Sequence, residues 1–165
     1  MSAPDLRIVL LDALEDERKA EATYEAVIAK FGPIRPFINI VEAEQRHAAA
    51  LERQMQRLGM EVPENPWDAG KITPPASLAD ACAMAIEAEI ENIALYDRLI
   101  PQIDNPTVQQ VLQNLQDASR NNHLPAFRRC LARENGEPGR SAGRGGGQGC
   151  GRGGGGQGRR GGSHS

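Results

Sequence analysis

The chain has 165 residues, with 4% aromatic side chains, 25% charged side chains and a formal net charge of −3. This length is typical of one domain, and an acidic chain with so few aromatic residues is not expected to bind nucleic acid through its folded part. Its N-terminus turns acidic too early for a signal peptide, and no apolar run approaches the roughly 18–20 residues that span a bilayer. The sequence therefore predicts a cytoplasmic protein without membrane association.

The first two predicted elements are amphipathic helices. Gly32, followed by Pro33, ends the first helix, and the second stops near Gly59. Side chains recurring at steps of three and four form one stripe on each helix. In the first helix this stripe contains Leu10, Ala13, Glu17, Ala20, Tyr24 and Val27. In the second it contains Phe37, Val41, Glu44, His47, Leu51 and Met55.

Two further helices follow an 18-residue connection that contains four prolines. Ser77 is the expected N-cap of the third helix, and Pro101 closes it. The third stripe contains Leu78, Cys82, Ala85, Glu89, Asn92, Tyr96 and Leu99, and the fourth Val108, Leu112, Leu115, Ser119, His123, Ala126 and Cys130. Four helices with mostly short connections predict an all-α four-helix bundle in which the long second connection is a crossover.

Polar residues that interrupt these apolar stripes indicate where a functional site lies. A buried carboxylate is costly unless it is paired, hydrogen-bonded or bound to a metal. Five residues nevertheless fall on core-facing positions near the middle of the helices: Glu17, Glu44, His47, Glu89 and His123. Glu44 and His47 share a face at the i, i+3 spacing. Neighbouring acids off the stripes, such as Glu15, Asp16 and Glu91, are assigned to the solvated surface.

The first and third helices repeat one design. Tyr24 follows Glu17 by seven residues, as Tyr96 follows Glu89. Seven residues are close to two helical turns, so each tyrosine stands on the face of its glutamate, about 10 Å along the axis. We predict both tyrosines as hydrogen-bond partners of the carboxylates, without a catalytic role.

Three motifs in this order carry a family resemblance: Glu-x-x-Ala-x-x-x-Tyr at 17–24, Glu-x-x-His at 44–47 and Glu-x-x-Asn-x-x-x-Tyr at 89–96. Residues 6–133 resemble the erythrin half of a rubrerythrin, in the ferritin-like superfamily. The stretch from "ENIALYDRLI" to "VLQNLQDASRNNHLPAF" resembles a prokaryotic branch of that superfamily described as a domain of unknown function. The resemblance implies a bundle that holds iron, or manganese, between its helices for oxygen or peroxide chemistry.

The resemblance also implies a ligand set for one or two metal ions. Glu17, Glu44, His47, Glu89 and His123 match the family pattern, and the position of its fourth carboxylate holds Arg120. A guanidinium does not deprotonate and cannot be a ligand, so Arg120 is expected to pair with a carboxylate of the site. Pro125 removes a helix hydrogen bond two residues after His123, which predicts a kink or bulge. Such a bulge would bring Ser119, Asn121 or Asn122 to the place of the missing acid.

The leading hypothesis is a metal-binding, rubrerythrin-like protein that acts in metal homeostasis or as a non-haem iron oxidoreductase on peroxide or O2. The CxxC motifs of a rubredoxin-like half are absent, so turnover would need an external electron donor. The alternative is a metal-free or weakly binding structural bundle in which Arg120 neutralises the carboxylates. Mineral storage in a ferritin-type shell is disfavoured because nothing in the sequence specifies a cage. A homo-oligomer is expected.

The C-terminal end differs from the rest of the chain. Five arginines and no acid lie between Gly139 and Ser165, and subtracting them leaves about −8 of net charge on residues 1–138. We predict a folded domain over residues 1–135 and a disordered Gly/Arg-rich tail over residues 136–165. The alternative to a solubilising tail is one that weakly binds RNA, an anionic surface or a neighbouring subunit.

The three cysteines give a separate expectation. Cys82, Cys130 and Cys150 form no CxxC pair. They favour a reduced compartment, with Cys82 and Cys130 as small buried side chains and no structural disulfide.

Overall fold

The computed structural model describes residues 5–136. Within this range the chain is helical and contains no strand. Its α-helices are α1 (Leu6–Phe31), α2 (Phe37–Arg57), α3 (Leu78–Leu99), α4 (Pro106–Ala118) and α5 (Leu124–Glu134). A π-helical turn over Ser119–His123 joins α4 to α5, so the two form the fourth arm of a bundle. The predicted all-α bundle is therefore confirmed, while residues 137–165 of the predicted tail lie outside the described residues.

The start of α3 and the end of α1 show the expected capping chemistry. The Ser77 hydroxyl accepts a 3.1 Å hydrogen bond from the Asp80 amide at the start of α3, as predicted. Gly32 ends α1 at φ +91°, a left-handed conformation that favours glycine. After Leu99 a short 3₁₀ turn containing Pro101 replaces the α-helix. Among the described residues, no helix combines the length and apolar character that crossing a membrane requires.

The direction of the helices explains the long connection. Tyr24 contacts Glu89 and Tyr96 contacts Glu17, so α1 and α3 are antiparallel. The five-residue connection at 32–36 makes α1 antiparallel to α2 as well. Because α2 and α3 therefore point the same way, the chain has to return along the bundle between them.

The returning segment, residues 58–77, packs along α1. The buried Arg18 of α1 donates a 3.3 Å hydrogen bond to the Glu64 carbonyl and pairs with Glu52 of α2 at 3.1 Å. Near the other end, the Lys30 ammonium donates to the Pro75 carbonyl at 2.8 Å. The predicted crossover thus covers the α1 side of the bundle.

The buried interior consists of two apolar clusters. One contains Val9, Leu10, Ala13, Leu14, Ala48, Leu51, Met55, Tyr96, Leu99, Ile103, Val108, Leu112 and Leu115. The other contains Tyr24, Val27, Phe37, Ile40, Val41, Ala81, Cys82, Ala85, Phe127 and Cys130. Buried polar residues from every arm of the bundle lie between these clusters: Glu17, Glu44, Glu89, Asn92, Ser119 and His123. An apolar layer on each side therefore shields a polar layer at mid-bundle from water.

The cysteines correct one expectation from the sequence. Cys82 of α3 and Cys130 of α5 form a disulfide, with their Cα atoms 5.9 Å apart. The prediction of no structural disulfide is therefore wrong. The two residues are 48 positions apart, and only the antiparallel packing of their helices brings them together. The cysteine pattern consequently gives no support for a reduced compartment.

Candidate metal centre

The five predicted ligands converge at mid-bundle, and we refer to them as the carboxylate–histidine cluster. Glu17 comes from α1, Glu44 and His47 from α2, Glu89 from α3 and His123 from the π-helical turn. The three glutamates are at most 2% exposed, and His123 is 4% exposed. The His47 side chain is 12% exposed. Each residue lies on the stripe that the helical spacing predicted.

Glu44 lies at the centre of the cluster and joins two halves. Its Oε2 lies 3.2 Å from Nδ1 of His47, which is also 3.3 Å from Oε2 of Glu17. Its Oε1 lies 3.1 Å from Nδ1 of His123, which is 3.5 Å from Oε2 of Glu89. In each half, one ligand atom from each of the three residues lies within 4.8 Å of the others. Glu44 can therefore offer one oxygen to each of two adjacent cations.

The two halves are arranged nearly symmetrically about Glu44. The rings of His47 and His123 stack with centroids 5.4 Å apart and an interplanar angle of 17°. Glu17 on α1 and Glu89 on α3 occupy matching positions on either side. The sequence repeat between the first and third helices thus has a structural counterpart.

Each tyrosine hydroxyl donates a hydrogen bond to a carboxylate on the opposite helix. Tyr24 of α1 donates to Oε1 of Glu89 at 2.7 Å, and Tyr96 of α3 donates to Oε1 of Glu17. Burial, followed by the charge of these glutamates, raises the pKa of both tyrosines well above its ordinary value. The hydroxyls therefore stay protonated and orient the glutamates, leaving each Oε2 directed at the histidines.

The buried charges of the cluster shift one another's protonation. Burial, and then repulsion from Glu44, raises the pKa of Glu17 to about 7. Burial would raise the pKa of Glu44, but its close contacts with Glu17 and both histidines lower it. Burial would lower the pKa of His47 and His123, but the neighbouring carboxylates outweigh it and raise the pKa to about 9 and about 10. Without a metal, protons on the imidazoles therefore balance most of the negative charge near neutral pH.

The fourth arm changes its helical register just before His123. Ser119–His123 form a π-helical turn, which confirms the bulge predicted from Pro125. One additional residue in a turn moves the side chains that follow by about 100° around the helix axis. This local change determines which side chains of the fourth arm face the cluster.

Arg120 does not reach the carboxylate–histidine cluster, which corrects the expectation that it neutralises these carboxylates. Its side chain is 48% exposed, and Nη2 lies 3.8 Å from Oδ1 of the exposed Asp97. Ser119 faces the interior instead, because it continues the inner stripe of α4 four residues after Leu115, and Asn121 and Asn122 are exposed. The Ser119 hydroxyl donates a 2.8 Å hydrogen bond to Oδ1 of Asn92.

Two residues beside the cluster were not predicted to belong to the site. Asn92 of α3 donates from Nδ2 to Oδ2 of Asp16 at 2.6 Å and to Oε1 of Glu17 at 3.3 Å. Burial raises the pKa of Asp16, which is half-buried rather than exposed as expected. Asn92 could have been found as a buried amide one turn after Glu89. Asp16 gave no such signal because its partner lies on another helix.

The atoms of the cluster fit a divalent cation. Oε2 of Glu89 and Nδ1 of His123 are buried and have no hydrogen-bond partner among the described residues. Buried polar atoms are normally satisfied, so such a pair indicates an absent partner. Three carboxylates and two imidazoles provide hard oxygen and borderline nitrogen donors, which are the kinds of ligand that divalent metals bind.

Comparison with known proteins supports the fold but names no activity. No protein-family model matches the chain, and no curated protein sequence matches it either. The structure is similar to the crystal structure of a hypothetical protein from Methanococcus jannaschii, with a TM-score of 0.70 and 26% sequence identity. The similarity covers 78% of this chain and 81% of that chain. A function has to be argued from the site, because a fold can host many activities.

Proposed function

We propose that this protein is a rubrerythrin-like metal protein of the ferritin-like type, which holds two iron ions in the carboxylate–histidine cluster. The observation that carries the proposal is the division of the cluster into two three-residue halves that share Glu44. Manganese suits the same donors. The physiological role would be metal homeostasis or the reduction of peroxide or O2.

The charge of the cluster favours bound divalent cations. Three carboxylates with two neutral imidazoles carry three negative charges in a buried layer, which would be costly without compensating cations. The tyrosine hydroxyls and Asn92 hold Glu17 and Glu89 in place, so little rearrangement is needed on binding. Bound iron would supply the redox chemistry with O2 or peroxide that protein side chains lack.

The chain's own residues would hold the metals and exclude water, while electrons would come from an external donor. Apolar clusters cover the polar layer on both sides. The exposed edge of His47 gives a small reactant such as peroxide a way in. The oxidoreductase role depends on the metal-binding role, since turnover requires a bound metal.

Metal stoichiometry in single-residue variants tests the proposal. The full chain is loaded anaerobically with Fe(II), desalted and measured by mass spectrometry for metal per chain. We expect about two ions in the unmodified protein, about one in His47→Ala and in His123→Ala, and none in Glu44→Ala. Glu42→Ala on the same helix removes an exposed carboxylate and should behave like the unmodified protein.

The metal content of the variants distinguishes a two-ion site from a one-ion site and from no metal site. About one ion in the unmodified protein, lost in all three ligand variants, would indicate a single remodelled site. A value near zero in every protein, with the helical circular dichroism unchanged, would overturn the metal proposal. Peroxidase and ferroxidase assays follow only if the pattern of two, one and none is found.

A further inference from the structure

A cleft of about 430 Å³ opens between the N-terminal half of α2 and the fourth arm, and His123 is one of its lining residues. Four arginines line it, and we call it the arginine cleft. Arg35 precedes α2, Arg46 lies on α2, and Arg129 and Arg133 lie on α5. The remaining lining residues are Pro36, Asn39, Ile40, Ala43, Asn122, His123 and Ala126.

Within residues 5–136, no acidic group pairs with the arginines of this cleft. No aspartate or glutamate lines it, and none of its four arginines makes an ion pair with a described residue. Elsewhere Arg18 pairs with Glu52 and Arg120 pairs with Asp97. The four guanidiniums are solvent-exposed, so water screens their mutual repulsion, but together they create a positive potential that attracts an anion.

The other polar groups of the cleft also favour the binding of an anion. The amides of Asn39 and Asn122 can donate hydrogen bonds to an anion. The α2 helix begins at Phe37, beside the cleft, with no side-chain cap, so the positive end of its dipole adds to the potential. Pro36, Ile40 and Ala43 form an apolar wall, which lowers the local polarity around the charges.

We propose that the arginine cleft binds a diphosphate group, either as free pyrophosphate or as part of an organic ester. A guanidinium pairs bidentately with two oxygens of one anion, and phosphate matches this geometry. A carboxylate offers two oxygens and one charge, too few for four arginines, whereas a diphosphate offers more oxygens and several negative charges. A cleft of about 430 Å³ lies in the range of small-molecule sites, so it also has room for an ester.

The proposal does not depend on the metal site, although the two share a wall. His123 contributes one face to the cleft, while its Nδ1 points toward Glu44 and Glu89. The test therefore uses the full chain after chelator treatment, so that phosphate cannot be held by a bound metal. The Gly/Arg-rich C-terminal segment is present in every protein compared, and its nonspecific binding cancels.

Isothermal titration with pyrophosphate, and separately with adenosine diphosphate, measures the affinity. We expect one site per chain, and binding at least about tenfold weaker in Arg46→Gln/Arg129→Gln, because each substitution removes a charge-assisted contact. The matched control is Arg53→Gln/Arg57→Gln, two exposed arginines of α2 outside the cleft. This control loses the same charge and should keep its affinity. A second cleft pair, Arg35→Gln/Arg133→Gln, should weaken binding as the first pair does.

The two ligands distinguish the sources of the diphosphate. Equal or tighter binding of adenosine diphosphate than of pyrophosphate supports an ester ligand, and much weaker binding supports the free anion. Equal weakening in the cleft and control pairs would show attraction by overall charge and would overturn the proposal. If the chelator-treated chain binds neither pyrophosphate nor adenosine diphosphate, the proposal is overturned. This holds also if binding returns after metal loading, because the metal would then hold the phosphate.

Discussion

Tyr24 on α1 donates its hydrogen bond to Glu89 on α3, at 2.7 Å, rather than to a glutamate on its own helix. Tyr96 on α3 donates the equivalent hydrogen bond to Glu17 on α1. Tyr24 thus supports the half that contains Glu89, although its own helix α1 supplies Glu17 to the other half. Tyr96 on α3 supports the half that contains Glu17. The two halves can consequently be perturbed one at a time.

Tyr24→Phe should weaken metal binding mainly in the half formed by Glu89 and His123. Loss of a hydrogen bond to a metal ligand typically costs about 10–100-fold in affinity. Loss of a buried hydrogen bond to a charged group should also lower the free energy of unfolding by about 1.5–3 kcal/mol. Competitive titration with a chelator measures the two affinities.

Tyr96→Phe is the matched variant and should weaken the half formed by Glu17 and His47 instead. Because both tyrosines are fully buried, the two substitutions remove the same group from similar surroundings. If both variants weaken both ions equally, the halves are not independent, and the assignment of one tyrosine to each carboxylate is contradicted.

Metal uptake should release protons near neutral pH. The pKa of His47 is raised to about 9 and that of His123 to about 10, so both imidazoles are protonated at pH 7 in the metal-free protein. Coordination requires neutral imidazoles, so loading both halves at pH 7 should release at least about two protons per chain. A weakly buffered titration with Mn(II) and a pH indicator measures the release, and the Glu44→Ala variant should show little. Uptake without proton release would contradict this assignment.

The same shifts predict how the stability of the metal-free protein varies with pH. A raised pKa means that the folded state binds protons more tightly than the unfolded state. The contribution of the histidines is present below their ordinary pKa of 6.5 and is lost as the pH rises through about 9 and about 10. The melting temperature should therefore fall between pH 6.5 and pH 10 in the metal-free protein. His47→Gln/His123→Gln should show a flatter profile over this range, and an equal slope would contradict the assignment.

Much of this architecture could be predicted from local sequence pattern. Helical periodicity placed Glu17, Glu44 and Glu89 on interior stripes, because a stripe depends on spacing within one helix. The bulge near Pro125 was predicted for the same reason, since a proline acts on the turn around it.

Features that depend on contacts between helices were not predictable in the same way. Asp16 became half-buried because Asn92 reaches it from α3. Arg120 points outward because the neighbouring Ser119 continues the inner stripe of α4 and bonds Asn92, and the sequence left the exact position of the π-helical turn open. The arginines of the cleft lie as far apart as Arg35 and Arg133, so only the tertiary fold brings them to one cleft.

Arg120→Glu should leave metal binding unchanged. The side chain points to solvent beside Asp97, so a glutamate there adds negative charge outside the cluster. Metal per chain after Fe(II) loading measures the effect. A gain of metal in Arg120→Glu would mean that residue 120 faces the cluster after all.

Ser119→Ala, by contrast, leaves Oδ1 of Asn92 buried without its donor, and should lower the free energy of unfolding by about 1–3 kcal/mol.

Reduction of the Cys82–Cys130 disulfide should destabilise the bundle. A crosslink between residues 48 positions apart restricts the unfolded chain and contributes up to about 4 kcal/mol in the loop-entropy treatment. The melting temperature should therefore drop when a thiol reductant is added under otherwise identical conditions. Cys82→Ala/Cys130→Ala removes the bond and should melt at a lower temperature that the reductant does not change, while Cys150→Ala should behave like the unmodified protein. If the unmodified chain melts identically with and without reductant, and mass spectrometry finds both thiols free beforehand, then the purified protein does not contain this disulfide.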